Sequence, residues 1–263
     1  MNSSEKIRHP KLHKRLYAVW FRHVKVYSKN LYSNGLPPFL EPLIFLAAVG
    51  LGLGKFIDTS VGGMRYIEFL GTGLIMTSAM FTSAFECSYG TFIRLEFDRV
   101  YDGMLAAPIT ATDLIVGEII FAGTKGFFFS FAVLVVMACF GVITSPFAIL
   151  APFAGFLTAL MFAVLSLLIT SFVKTINHFN FYFTGFISPM FFFCGVMFPV
   201  SDLPKYLIPV AEIMPLTHTV RITRALCSSS PSWTCLWDIA YTVLFILIIG
   251  HLAIFKLKKR LIN

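Results

Sequence analysis

The sequence predicts an all-α integral membrane protein with six transmembrane helices, on three observations. The first is composition. Of 263 residues, 57% are hydrophobic and 13% charged, against ~25% charged in a soluble domain, and mean hydropathy is +0.80. So little polar surface cannot cover a soluble globule of this size, which excludes a soluble enzyme, a disordered chain and a disulfide-rich secreted domain. The second is segmentation. Six stretches meet the ~20 mostly apolar residues a spanning helix needs: about Pro38–Phe56, Ile67–Tyr89, Leu114–Val142, Phe147–Val173, Phe179–Val200 and Leu236–Leu257. The third is charge. With both termini inside, 15 of the 21 Lys and Arg face the cytoplasm and five face out, Lys125 lying within a span. That bias follows the positive-inside rule, so the net +8 reads as topology rather than nucleic-acid binding.

The chain is expected to be one membrane domain, 1–263: an amphipathic segment 1–36, a spanning region 37–257 and a cytoplasmic tail 258–263. In the first segment Leu12, Leu16, Val19, Trp20, Val24, Tyr27 and Leu31 recur at three- and four-residue steps. Basic residues fill much of the other face, predicting a helix in the cytoplasmic interface. It is either a topology anchor or an elbow beside a partner's docking surface. No cleavable signal peptide is expected, because these residues lack a continuous apolar core.

Between the second and third spans, Phe97, Val100, Tyr101, Met104 and Leu105 form one apolar stripe, with Glu96, Asp98, Arg99 and Asp102 opposite. This predicts a short amphipathic helix, stopped by Pro108, with Thr110 or Thr112 capping the next helix. Its acidic residues favour a groove in a soluble partner over anionic headgroups. Thr144, Ser145 and Pro146 mark the turn before the fourth span. The segment Phe198–Trp233 is too apolar for a free loop and too broken by Pro204, Pro209 and Pro215 to span. Short outer helices, re-entrant or interfacial, fit it best. They act either as an exit lid carrying Phe198, Pro199, Pro215 and His218 or as a clamp.

Ionisable residues inside a membrane usually face protein or water. Glu41, Glu86, Glu118 and Lys125 are such residues. Lys125 lies ~18 Å beyond Asp113 along a helix and Glu86 ~12 Å before Arg94, within reach of a snorkelling lysine. Glu86 and Lys125 are therefore expected to pair, either as helix packing or as the wall of a polar vestibule. Cys87, Cys139 and Cys194 read as small hydrophobes. Cys227 and Cys235 are a candidate disulfide if their loop is extracytoplasmic. No metal cluster, Walker A, zinc-protease or nucleophile-elbow pattern is present.

The chain then resembles the type-2 permeases of ATP-binding-cassette exporters, and within them the NodJ-like branch associated with lipooligosaccharide export. The resemblance rests on Phe85-Glu-Cys-Ser-Tyr-Gly-Thr-Phe-Ile-Arg94, Tyr101-Asp-Gly-Met-Leu-Ala-Ala-Pro-Ile, Gly117-Glu118 and Thr124-Lys125. Ser188-Pro-Met-Phe, Phe198-Pro-Val, Leu203-Pro and Pro215-Leu-Thr-His218 extend it. It implies a multi-pass permease of a bacterial inner membrane that does no bond chemistry and binds no cofactor itself. It also implies a homodimer joined by two ATPase subunits that hold ATP and Mg. Phe97, Asp98, Arg99, Tyr101, Asp102, Met104 and Leu105 would be the coupling helix. Glu86, Tyr89, Glu118 and Lys125 would lie on the path of a lipid or glycolipid, with spans one, two and five moving around it. Drug export, polysaccharide export and a non-transporting membrane scaffold are the alternatives.

Overall fold

A computed structural model of the chain describes residues 10–52, 61, 64–143, 145–228 and 233–262. Residues 1–9, the end of the first expected span at 53–56, and Thr144 lie outside them. The described residues are almost wholly helical. In order they form α1 (Leu12–Ser28), α2 (Leu31–Gly35), α3 (Pro37–Gly52), α4 (Tyr66–Phe85), α5 (Val100–Leu105), α6 (Ala111–Cys139) and α7 (Ala151–Phe172). Then follow α8 (Phe179–Tyr182), α9 (Ser188–Phe193), α10 (Ile208–Ile213), α11 (Pro215–Cys227) and α12 (Thr234–Ile262).

Four helical runs are long and apolar enough to cross a membrane: Tyr66–Phe97, Ala111–Cys139, Pro146–Phe172 and Thr234–Ile262. They coincide with the second, third, fourth and sixth expected spans. The first expected span is occupied by α3, of 16 residues. The fifth is a helical stretch over residues 179–193, in which a π-helical turn, Phe183–Ile187, joins α8 to α9. That stretch was expected to run to Val200. It stops early because Gly195 adopts a left-handed φ of +78°, which redirects the chain out of the helix.

α7 is the hub, packed against α4, α6 and α12. Small residues let these helices approach closely. A Cβ on Gly126 of α6 would collide with Ala159 of α7, and Ser130 of α6 donates to the Ile75 carbonyl of α4 at 2.9 Å. α12 is the least covered of the four. Leu244, Leu247, Ile248 and Phe255 stay exposed on it, as a lipid-facing surface requires. The expected tail from 258 onward is the end of this helix, which continues to Ile262. There Arg260 bonds the carbonyls of Thr170 and Val173 and the carboxylate of Glu96.

Candidate functional site

Two π-helical turns, Glu86–Gly90 and Ile93–Phe97, extend α4 toward the loop. Such turns shift side-chain register and recur at functional positions. Here they gather Glu86, Thr91 and Arg94 against α6. Arg94 is the centre. Its Nη1 donates to Glu86 Oε1 at 2.7 Å and its Nε to Glu118 Oε1 at 3.1 Å, while Nη2 reaches the Glu86 carbonyl at 3.2 Å. Glu118 also accepts from Tyr101 Oη and, at 3.3 Å, from Thr91 Oγ1. Lys125 Nζ donates to Glu86 Oε2 at 2.8 Å. Two carboxylates thus meet two cations in a buried, nearly neutral cluster, the arrangement in which buried charge is tolerated.

Of the residues expected on a path, Glu86, Glu118 and Lys125 come together. Tyr89 turns away, stacking on Phe183 and bonding Asn180 at 3.1 Å. Lys125 also faces a cavity of about 540 Å³ between α3, α4, α6 and α9. Phe45, Phe81, Phe85 and Phe129 wall it, with Thr77, Ser78, Thr82 and Glu41 as further polar groups.

The expected coupling helix is divided. Phe97 ends the α4 run and is 65% exposed. The chain breaks at Asp98 and Arg99, where Arg99 has a φ of 47°, and α5 restarts at Val100. Asp98, Arg99 and Asp102 are exposed, and Met104 and Leu105 half-buried. Tyr101 departs from the expectation: it is 1% exposed and its hydroxyl joins the cluster. Burial, then the Glu118 charge, holds its phenol protonated far above the usual range, so it remains a donor.

α1 lies on α6. Val19 sits over Gly117, where a Cβ would lie 2.5 Å from Val19 Cγ1. Arg15 binds Asp113 at 2.7 Å, and Trp20 donates to Thr124 at 3.1 Å. Asp113 also closes the capping box with Thr110, one of the two expected caps. His23 stacks on Phe121. Its Nε2 is 3.7 Å from Glu118 Oε1 and makes no hydrogen bond. Burial first, then the Arg94 charge, pulls its pKa down to about 3, so it stands beside Glu118 as a neutral ring.

Sequence reasoning missed Arg94, Thr91, His23 and the Arg15–Asp113 and Trp20–Thr124 links. One available signal was that Glu118, in the third span, needed a cation, and Arg94 was the basic residue nearest the end of the second expected span.

The expected lid residues separate. Phe198 and Pro199 lie in the non-helical bend after α9, and Pro215 opens α11. His218 is buried between α10 and α12: Nε2 donates to the Glu212 carbonyl at 2.9 Å, Nδ1 lies 2.7 Å from Asp238 Oδ1, and the ring stacks on Tyr241. Arg221 bridges Asp238 and Glu212 at 3.1 and 2.5 Å. Of the candidate disulfide pair, Cys227 is buried at the end of α11 and Cys235 is half-buried in the first turn of α12, and the structure holds no disulfide between them.

The sequence profile of the ABC-2 type transporter matches residues 14–227, from α1 to the end of α11. The chain belongs to the ABC-2 type transporter family. Glu86, Arg94, Tyr101, Glu118 and Lys125 all lie within that match. Nodulation protein J of Sinorhizobium fredii (strain NBRC 101917 / NGR234) is 30% identical over 246 residues, 94% of either chain. Nodulation protein J of Rhizobium meliloti (strain 1021) is 35% identical over 214 residues, 81% of either chain. The inner membrane transport permease YadH of Escherichia coli (strain K12) is 22% identical over 205 residues, 78% of this chain and 79% of YadH. An ABC-2 permease is a multi-pass membrane subunit, and the family as a whole works with an ABC ATPase.

Proposed function

We propose that this chain is the permease subunit of an ATP-driven exporter in a bacterial inner membrane. It carries an amphiphile, in particular a lipid-linked saccharide, from the cytoplasmic side outward. In this reading it spans the membrane six times with both termini inside and pairs with a second copy of itself. Two ATPase subunits hold ATP and Mg, and this chain makes and breaks no covalent bond. The saccharide rests on the resemblance to the lipooligosaccharide-export branch. The inner membrane is supported by the likeness to YadH.

One observation carries the mechanism: a continuous line of polar contacts from an exposed segment to a cavity. Phe97, Asp98, Arg99 and Asp102 present the outer face of that segment to a partner. Behind them Tyr101 holds Glu118, Glu118 shares Arg94 with Glu86, and Glu86 holds Lys125 at the cavity wall. When nucleotide closes the partner subunits, a displaced α5 must either carry Tyr101 and Glu118 with it or break their bond. Breaking it leaves a buried carboxylate short of a donor, which costs about 1–3 kcal/mol or more. Motion of α5 is therefore tied to α4 and α6, and α1, fastened to α6, moves with them.

Introducing a cysteine at Met104 tests this, with crosslinking to a co-expressed ABC ATPase. The expected result is a crosslink whose yield changes with nucleotide. A chain that copurifies with no ATPase and forms no nucleotide-dependent crosslink overturns the coupling. A crosslink without ATP-dependent uptake into inverted vesicles would leave a scaffold.

A further inference from the structure

The two charged side chains at the cavity between α3, α4, α6 and α9 differ in what they offer a ligand. Lys125 is already engaged, bonded to Glu86 at 2.8 Å and set against the rings of Tyr27 and Phe129 at 5.2 and 5.8 Å. Glu86 and Glu118 balance Lys125 and Arg94, so an anion entering the cavity would have to draw Lys125 away from Glu86. Glu41 is the opposite case. Among the described residues it makes no ion pair, and it stands exposed where the cavity meets a shallower apolar recess formed by Pro37, Leu40 and Ile44. The charge left over for a ligand is therefore that of one carboxylate. The volume of about 540 Å³ suits a headgroup with part of one alkyl chain. Phe45, Phe81 and Phe191 supply an apolar wall whose ring faces attract cations and repel anions.

We propose that this cavity binds amphiphiles whose headgroup presents N–H or O–H donors and carries no negative charge, with Glu41 as the accepting carboxylate. This deepens the transport reading above and rests on it for its physiological meaning, but not for its test. Glycosides and alkylammonium ions share the donor chemistry. A charged donor gains more from a carboxylate than a neutral one does, so the ammonium ion binds more tightly. Anionic amphiphiles meet like charge at Glu41 and a lysine already neutralised.

The experiment uses the full chain in phosphatidylcholine nanodiscs. Saturable binding of radiolabelled dodecylammonium, dodecyl glucoside and dodecyl sulfate is measured against empty discs. Dodecylammonium is expected to bind roughly tenfold more tightly than dodecyl sulfate, with the glucoside between them. Glu41→Gln should weaken ammonium binding roughly tenfold. It should change glucoside binding much less, because an amide oxygen still accepts. Ser78→Trp, which fills the cavity, should abolish saturable binding of both. Sulfate binding as tight as ammonium, ammonium binding unchanged in Glu41→Gln, or binding undiminished in Ser78→Trp would each overturn the proposal. So would glucoside binding without ammonium binding. None of these readouts needs an ATPase. Intact binding without export counts against the transport reading alone, and export without this selectivity counts against the site alone.

Discussion

The molecule holds two polar clusters with nearly the same inventory and different wiring. The one called inner, after the orientation proposed above, joins Glu86, Arg94, Glu118 and Lys125. The outer one joins Glu212, His218, Arg221 and Asp238. The outer contacts link α10, α11 and α12, neighbours in sequence, and fasten His218 to a backbone carbonyl. They are a clasp. The inner contacts join α4 to α6 and reach α5 through Tyr101, with α1 alongside. Ions are shared in both: Arg94 between two carboxylates and Glu86 between two cations, and likewise Arg221 between Glu212 and Asp238. The difference lies in what is joined: one cluster ties consecutive helices to one another, the other ties α4 to α6 and reaches the exposed segment through Tyr101.

Arg94→Ala is the strongest way to break this contrast. It strips a buried cation from two carboxylates and should cost about 3–5 kcal/mol. Arg221→Ala should cost less, about 1–2 kcal/mol, since its side chain is 36% exposed, its partner Glu212 is 42% exposed, and its buried partner Asp238 keeps His218. Thermal unfolding of the purified chain in detergent measures both, and equal losses would erase the distinction. Tyr101→Phe comes next. It keeps the buried ring and removes one donor to a charged acceptor, for a loss of roughly 1.5–3 kcal/mol. ATP hydrolysis by the partner should continue while uptake into inverted vesicles falls. Parallel loss of both activities would make Tyr101 a docking residue rather than a transmitter.

The comparison is sharpened further by pH. The His23 pKa falls from 6.5 to about 3 on folding, so the unfolded or undocked helix takes up a proton first. Stability is full above pH 6.5 and declines as pH falls through that value toward 3. The decline should reach about 2 kcal/mol at pH 5. Comparing His23→Gln with the parent chain isolates it, because the variant lacks this slope. The same slope in the variant would place the titrating group elsewhere.

Much of the frame was legible because membrane spans obey simple rules of length and polarity. The runs beginning at Tyr66, Ala111, Pro146 and Thr234 follow directly from apolar length, and Thr110 was one of two caps, with Thr112, that the threonines after Pro108 allowed; the structure chooses it through Asp113. The Glu86–Lys125 contact was legible because two opposite charges stranded at similar depth have few other choices. Tyr101 was read as part of an outward stripe, since periodicity gives a residue's face but not which side of that face is covered. The role of Arg94 depended on two π-helical turns that alter the register of α4, and no local residue pattern announces them. The early end of the helix at residues 194–195 rests on Gly195, one glycine among 18.

Arg260 carries a consequence for biosynthesis. Its acceptors are the end of α7, at Thr170 and Val173, and Glu96 beyond α4, 164 residues earlier. Those groups leave the ribosome well before the arginine that satisfies them, so this end of the bundle remains open until α12 has been delivered. Arg260 thereby makes the arrival of α12 the event that closes this end of the bundle. A nascent chain stalled before α12 would expose those carbonyls to quality-control proteases.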